Sequence, residues 1–170
     1  MAKAKILFIL TGGTIDSKTE GLERDILLKQ SAVPGFIESL DLNKNFEIEY
    51  AHACWKDSRD VNDEDRERIA EIIVAHGQNK VIITHGTFTL AQTGKFLKHR
   101  MPDTHATIVL TGSLIPLIFE NSDGPDNLKF ALRQLGNLGP GVYVCMNQTV
   151  LDPAEAVKDP ISGKFYSAGT

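Results

Sequence analysis

The chain has little cysteine, no long apolar run and no excess of positive charge, and each shortage excludes something. Its 170 residues contain two cysteines, Cys54 and Cys145, far apart and with no CxxC or neighbouring histidine pattern. A disulfide framework and a zinc site are therefore not expected, and both thiols read as reduced core residues in a reducing compartment. The only apolar stretch near the start, Ile6 to Leu10, follows Met1-Ala-Lys-Ala-Lys5 and has no small-residue cleavage site after it. It is too short to span a membrane, so the sequence predicts no signal peptide, no membrane association and a cytoplasmic location. Lys and Arg together number 18 against 22 Asp and Glu, a net charge of -4, and no basic stripe forms. A nucleic-acid partner is not expected. Internal repeats, low-complexity tracts and linkers are also missing, so residues 1–170 read as one domain, large enough to bury its own core.

What is present alternates in type. Lys5 to Leu10, Lys80 to Thr84, Ala106 to Leu110 and Gly141 to Met146 are apolar throughout and bounded by Gly or polar residues, the pattern of strands buried on both faces. Phe46 to Tyr50 alternates apolar and acidic residues, as a strand nearer an edge does. Helix patterns lie between. Asn62 is placed to cap a helix through Val74, with acids in its first turn and Gly77 as its stop. Thr89 and Gln92 have capping-box spacing, Pro34 to Leu40 is a shorter candidate, and Asn127 to Leu138 carries Leu128, Ala131, Leu132 and Leu135 on one face. Alternating strands and helices predict an α/β fold, a parallel sheet with helices on both faces in a Rossmann-like three-layer arrangement. Asp16 to Gln30 is polar and aperiodic, and reads as a mobile loop that closes over a site.

Small polar residues fall at the carboxyl ends of the predicted strands: Thr11-Gly-Gly-Thr14, Asp57-Ser-Arg-Asp60, Thr84-His-Gly-Thr87, Thr111-Gly-Ser113 and Asn147-Gln-Thr149. That edge of an open parallel sheet is where ligands bind. The glycines let backbone approach a ligand, and the hydroxyls of Thr14, Ser58 and Thr87 are expected to converge there. His85 reads as a packed histidine bonded to backbone, Thr89 as a helix cap and Asp123 as a helix start.

Several of these segments, in this order, resemble the L-asparaginase family. Ile9-Leu-Thr-Gly-Gly-Thr-Ile15 resembles its first signature and Ile83-Thr-His-Gly-Thr-Phe-Thr-Leu90 its second. Leu110 to Ser113, Ser122 to Leu128 and Gly141 to Asn147 follow in the family's order. The resemblance implies a short, single-domain member that lacks the family's second, smaller domain. It also implies an amidohydrolase acting on asparagine or a close small amide, with no cofactor or metal. Thr14 is then the nucleophile, and Thr87 with Lys158 forms a second catalytic group. Ser58 and Arg59 hold the substrate's α-carboxylate, a contact a guanidinium suits. Backbone amides at Gly13 and Gly86 stabilise the oxyanion. A homodimer or higher homo-oligomer is expected, because a domain without its usual neighbour has apolar surface to cover.

Two positions depart from the family pattern. Phe88 stands where the second signature carries an aspartate that pairs with the substrate's α-ammonium and the lysine. The loop from Lys18 to Asp25 has no tyrosine to activate the nucleophile, leaving Asp16, Glu20 or Glu23 as candidate bases. These departures keep open a weak or inactive relative that binds a small amino-acid-like metabolite. A nucleotide-binding domain is a further rival, because Thr11 to Thr14 follows a strand as a phosphate loop does; neither GxGxxG nor GxxxxGK[ST] is present.

Overall fold

The computed structural model describes residues 3–19 and 24–169. Its centre is a six-stranded sheet of β1 (Ala4–Gly12), β2 (Phe46–Lys56), β3 (Lys80–Thr84), β4 (Thr107–Thr111), β5 (Gly141–Met146) and β6 (Thr149–Leu151). The spatial order is β2-β1-β3-β4-β5-β6. The first five strands run parallel and β6 returns antiparallel along β5. The α/β sheet expected from the apolar runs is thus observed, with one difference. Asn147 and Gln148 both adopt positive φ, 53° and 59°, and form a two-residue hairpin turn rather than a loop facing a ligand. A second hairpin, β7 (Ala156–Lys158) with β8 (Phe165–Ser167), follows.

Unbroken apolar strands put side chains into two cores. From β1, Leu7 and Ile9 face the layer formed by α2 (Asp63–His76) and α3 (Leu90–Arg100), where Ile69, Ile73, Leu90 and Leu97 are buried. Ile6, Phe8 and Leu10 face the opposite layer, with Val33 and Ile37 of α1 (Val33–Ser39) and Leu128, Ala131 and Leu135 of α4 (Gly124–Asn137). Burying Val, Leu or Ile contributes about 1.5–3 kcal/mol per side chain, so this two-sided sandwich is the main source of stability. β2 is one of the two edge strands, as its alternating pattern predicted.

Local signals explain the boundaries. Asn62 accepts a hydrogen bond from the Asp65 amide, the Asp65 carboxylate accepts from the Asn62 amide, and Gly77 ends α2 at φ 63°. Thr89 departs from its predicted role: its hydroxyl donates to the Ser58 carbonyl at 2.6 Å, a longer-range tie than a cap. Asp123 precedes α4 without capping it; its carboxylate accepts from the Leu114 and Ile115 amides. The strand order reverses beside β1, so successive connections leave on opposite sides of it, and the carboxyl ends of β1 and β3 mark the edge where a ligand crevice forms.

Candidate active site

The crevice begins with two glycine turns pressed together. Gly13 has φ 76°, and a Cβ on it would stand 2.3 Å from both Cα and N of Gly86. Only glycine tolerates that approach and that dihedral, so the turns after β1 and β3 interlock and fix the residues behind them. Those residues are Thr14, 5% exposed, and Thr87, 3% exposed. Both line a cavity of about 530 Å³ whose far wall is Leu114 and the 160–163 turn between β7 and β8. Thr111 and Ser113 stay outside it. The Thr111 hydroxyl donates to the Cys145 carbonyl and that of Ser113 to the Ile115 carbonyl. Asn147 is equally engaged elsewhere, accepting from the Phe165 amide.

Each threonine hydroxyl meets an ionisable group. Lys158, carried into the cavity by β7, donates from Nζ to Thr87 Oγ1 at 2.8 Å. Burial and the nearby Arg59 charge lower the Lys158 pKa, while Asp25 works the other way. Thr14 Oγ1 donates to Asp25 Oδ1 at 3.1 Å. Burial raises the Asp25 pKa, the Asp57 charge adds to the rise, and the Thr14 hydrogen bond and Arg59 oppose it. Asp25 was missed by the sequence reading, which named Asp16, Glu20 and Glu23. Glu20 and Glu23 lie outside the described residues. Asp16 is fully buried and accepts from Ser31 Oγ at 2.8 Å and the Ala32 amide at 2.8 Å, which makes it an anchor for the loop.

Arg59 is more heavily committed than expected. Its Nε and Nη2 donate to Asp57 at 2.9 and 2.6 Å, a bidentate pair within one turn. Burial disfavours the Asp57 carboxylate, but hydrogen bonds from the Arg59 side chain and from the Asp25 and Arg59 amides outweigh it. The group is held well below the usual carboxylate range. The Arg59 guanidinium also lies 4.3 Å from the centre of the Phe88 ring, and Lys158 Nζ lies 4.2 Å from it. Phe88, 37% exposed, therefore separates two cations at the cavity rim. Ser58 Oγ is buried with no hydrogen-bond partner among the described residues, directly against Gly86. The Gly13 amide, expected at the oxyanion, instead donates to the Lys56 carbonyl at 2.9 Å, because the turn continues the β1–β2 ladder for one residue. Gly86 retains that expectation.

His85 is packed as expected. Its ring bonds the Gly86 carbonyl at 2.8 Å and the Thr93 hydroxyl at 2.9 Å, and full burial lowers its pKa to about 4. Among the described residues no cluster of His, Cys, Asp and Glu is arranged to hold a metal, and no helix is long and apolar enough to cross a membrane.

A family model described as asparaginase, N-terminal, matches residues 5–162. L-asparaginase of Thermococcus kodakarensis is 32% identical over 155 residues, covering 86% of this chain and 45% of that protein. L-asparaginase 1 of Escherichia coli K12 is 33% identical over 149 residues, or 81% of this chain and 42% of that protein. A solved structure of a probable cytoplasmic L-asparaginase from Campylobacter jejuni superposes with a TM-score of 0.81 at 27% identity, covering 97% of this chain and 53% of that one. The chain thus spans about half the length of the relatives it matches.

Proposed function

The chain belongs to the asparaginase N-terminal family, and from that premise we propose that it is an amidohydrolase converting L-asparagine, or a close small amide, to aspartate and ammonia through Thr14 as nucleophile. The observation that carries the reading is the pair of hydroxyls, Thr14 and Thr87, facing one cavity from interlocked glycine turns, with Lys158 bound to Thr87. Thr14 Oγ1 attacks the side-chain amide carbon, ammonia leaves, and water hydrolyses the ester on Thr14. Thr87 and Lys158 direct a proton donor toward the departing nitrogen. A lysine of lowered pKa suits that work, since it gives up and recovers a proton more readily near neutrality. The Gly86 amide faces the developing oxyanion. Ser58, with its hydroxyl unpaired among the described residues, and Arg59 at the rim take the substrate's carboxylate.

A second reading has one specific observation in its favour. At the position of Phe88 an α-ammonium meets a ring flanked by two cations and not a carboxylate, which suits a relative that binds a small metabolite with little turnover. Titration calorimetry and ammonia release, run on the same preparation with L-asparagine and L-aspartate, separate the two. Turnover of asparagine supports the enzyme, whereas heat of binding without ammonia supports the binder.

A homo-oligomer, a dimer in its simplest form, fits the same reading. Ile161, on the cavity's outer wall, is 95% exposed and gains from a covering surface. Sedimentation velocity expects a species heavier than 18.7 kDa, and a monomer alone would contradict this. A cytoplasmic location is supported by the Campylobacter jejuni neighbour, described as probably cytoplasmic. Recovery of the native protein in the cytosolic fraction is the corresponding test.

A further inference from the structure

A threonine hydroxyl attacks an amide only if something takes its proton as the bond forms. We propose that Asp25 is that general base, acting directly on Thr14 Oγ1; the inference rests on Thr14 being the nucleophile.

The hydrogen bond is already directed as the transfer requires, from Thr14 Oγ1 to Asp25 Oδ1 at 3.1 Å, within the reach of general base catalysis. Asp25 is also held in position from two sides. Its amide donates to Asp57 Oδ2 at 2.9 Å, and Asp57 is itself fixed by Arg59. Its neighbour Arg24 reaches Asp60 at 2.8 Å. On the other side the returning chain is zipped to the turn after β1. The Lys18 amide donates to the Ile26 carbonyl at 2.8 Å and the Leu28 amide to the Asp16 carbonyl at 2.8 Å. Asp16, anchored on Ser31 and Ala32, ties that strip to the start of α1. A carboxylate serving only the loop's own fold has no need to face the nucleophile's oxygen.

The groups facing Asp25 set its strength as a base. Thr14 and Ser17 come from the turn after β1, Asp57 and Arg59 from the turn after β2, and Lys158 from β7. Burial and Asp57 oppose its charge, while Thr14, Arg59 and Ser17 favour it, and the balance raises its pKa. A carboxylate with a raised pKa holds a proton more readily, which is the property a base near neutrality requires.

The step balances. As the Thr14 Oγ1–carbon bond forms, the hydroxyl proton passes to Asp25 Oδ1 and the carbonyl π pair moves onto oxygen. Collapse expels the amide nitrogen as ammonia with a proton from the Thr87–Lys158 pair, and the Asp25 proton returns to that pair, restoring the Asp25 carboxylate. Water then gives a proton to Asp25 as its oxygen adds to the ester carbon. Thr14 Oγ1 departs with the proton, and the acid is released. The sum is amide plus water giving acid plus ammonia.

The test uses the full chain with 4-nitrophenyl acetate, an activated acyl donor, reading nitrophenolate release from pH 4 to 9 together with peptide mass of the acetylated residue. Wild type, Asp25→Asn, Asp25→Glu and Thr14→Ala are compared, with circular dichroism to confirm that each is folded. Acetylation of Thr14 slowed about 10²–10⁴-fold in Asp25→Asn, with partial rescue and a shifted acid limb in Asp25→Glu, supports the base. Thr14 acetylated at an unchanged rate and pH profile in Asp25→Asn overturns it and leaves the nucleophile standing. No acetylation that depends on Thr14 removes the nucleophile, and the role of Asp25 with it.

Discussion

Phe88→Asp puts a carboxylate at the cavity rim in place of a ring lying 4.3 Å from the Arg59 guanidinium and 4.2 Å from Lys158 Nζ. Two effects compete. Losing the ring removes two cation–π contacts, worth about 0.5–1 kcal/mol each at an exposed site. The new charge faces the same cations; at an effective dielectric of about 20, each pair is worth at most roughly 3–4 kcal/mol. Phe88 is 37% exposed, and such exposure screens each pair to about 1 kcal/mol, so stability barely changes. The substrate feels a larger difference. An α-ammonium gains one charge-assisted hydrogen bond, about 1.5–3 kcal/mol, or roughly 10- to 100-fold in kcat/KM. Succinamate, the same amide without the amino group, gains nothing. The assay is ammonia release from both compounds, expressed as the ratio of kcat/KM values for wild type and Phe88→Asp. The ratio of asparagine to succinamate rises by that factor if Phe88 occupies the ammonium subsite. An unchanged ratio refutes this placement of the subsite.

Gly13→Ala forces a side chain to φ 76° and a Cβ to 2.3 Å from Gly86, so it costs about 3 kcal/mol or more, read from urea unfolding, and abolishes ammonia release. His85 is neutral in the fold, with its pKa lowered from 6.5 to about 4. The unfolded chain therefore binds a proton that the folded one refuses; stability falls as pH drops from about 6.5 to 4, by roughly 3 kcal/mol, and levels off below. Asp16, whose carboxyl is raised by burial, offsets part of this at the acid end, and His85→Gln flattens the slope if the assignment is right. Lys158→Met keeps the buried stem but leaves Thr87 without its donor. It lowers kcat about 10²-fold or more with little change in melting temperature, and a kcat near wild type would remove Lys158 from the mechanism.

The fold was legible because burial on both faces leaves a run such as Ile6 to Leu10 with no alternation, and because Asn62 and Gly77 bracket α2 with local chemistry. The turn at Asn147 and Gln148 was misread because a polar tripeptide after a strand serves a hairpin as readily as a ligand loop; only the positive φ values distinguish them. The positions of Thr14 and Thr87 at the cavity could be anticipated from two glycine turns at strand ends. Asp25 could not. It is one acid among several in an aperiodic loop, and its approach to Thr14 depends on the chain returning along Asp16 to Lys18, which no local pattern encodes. The Arg59–Asp57 pair was hidden for a related reason: both residues were in view, but spacing alone does not say whether a guanidinium turns to a ligand or to its own turn.

The most direct measurement is ammonia release from L-asparagine by the wild-type protein and by Thr14→Ala, which removes the hydroxyl while leaving the Gly13 turn intact. Steady release by wild type that falls to background in Thr14→Ala is the outcome expected of a threonine amidohydrolase. Release that persists in Thr14→Ala, or none from wild type at saturating asparagine, contradicts it.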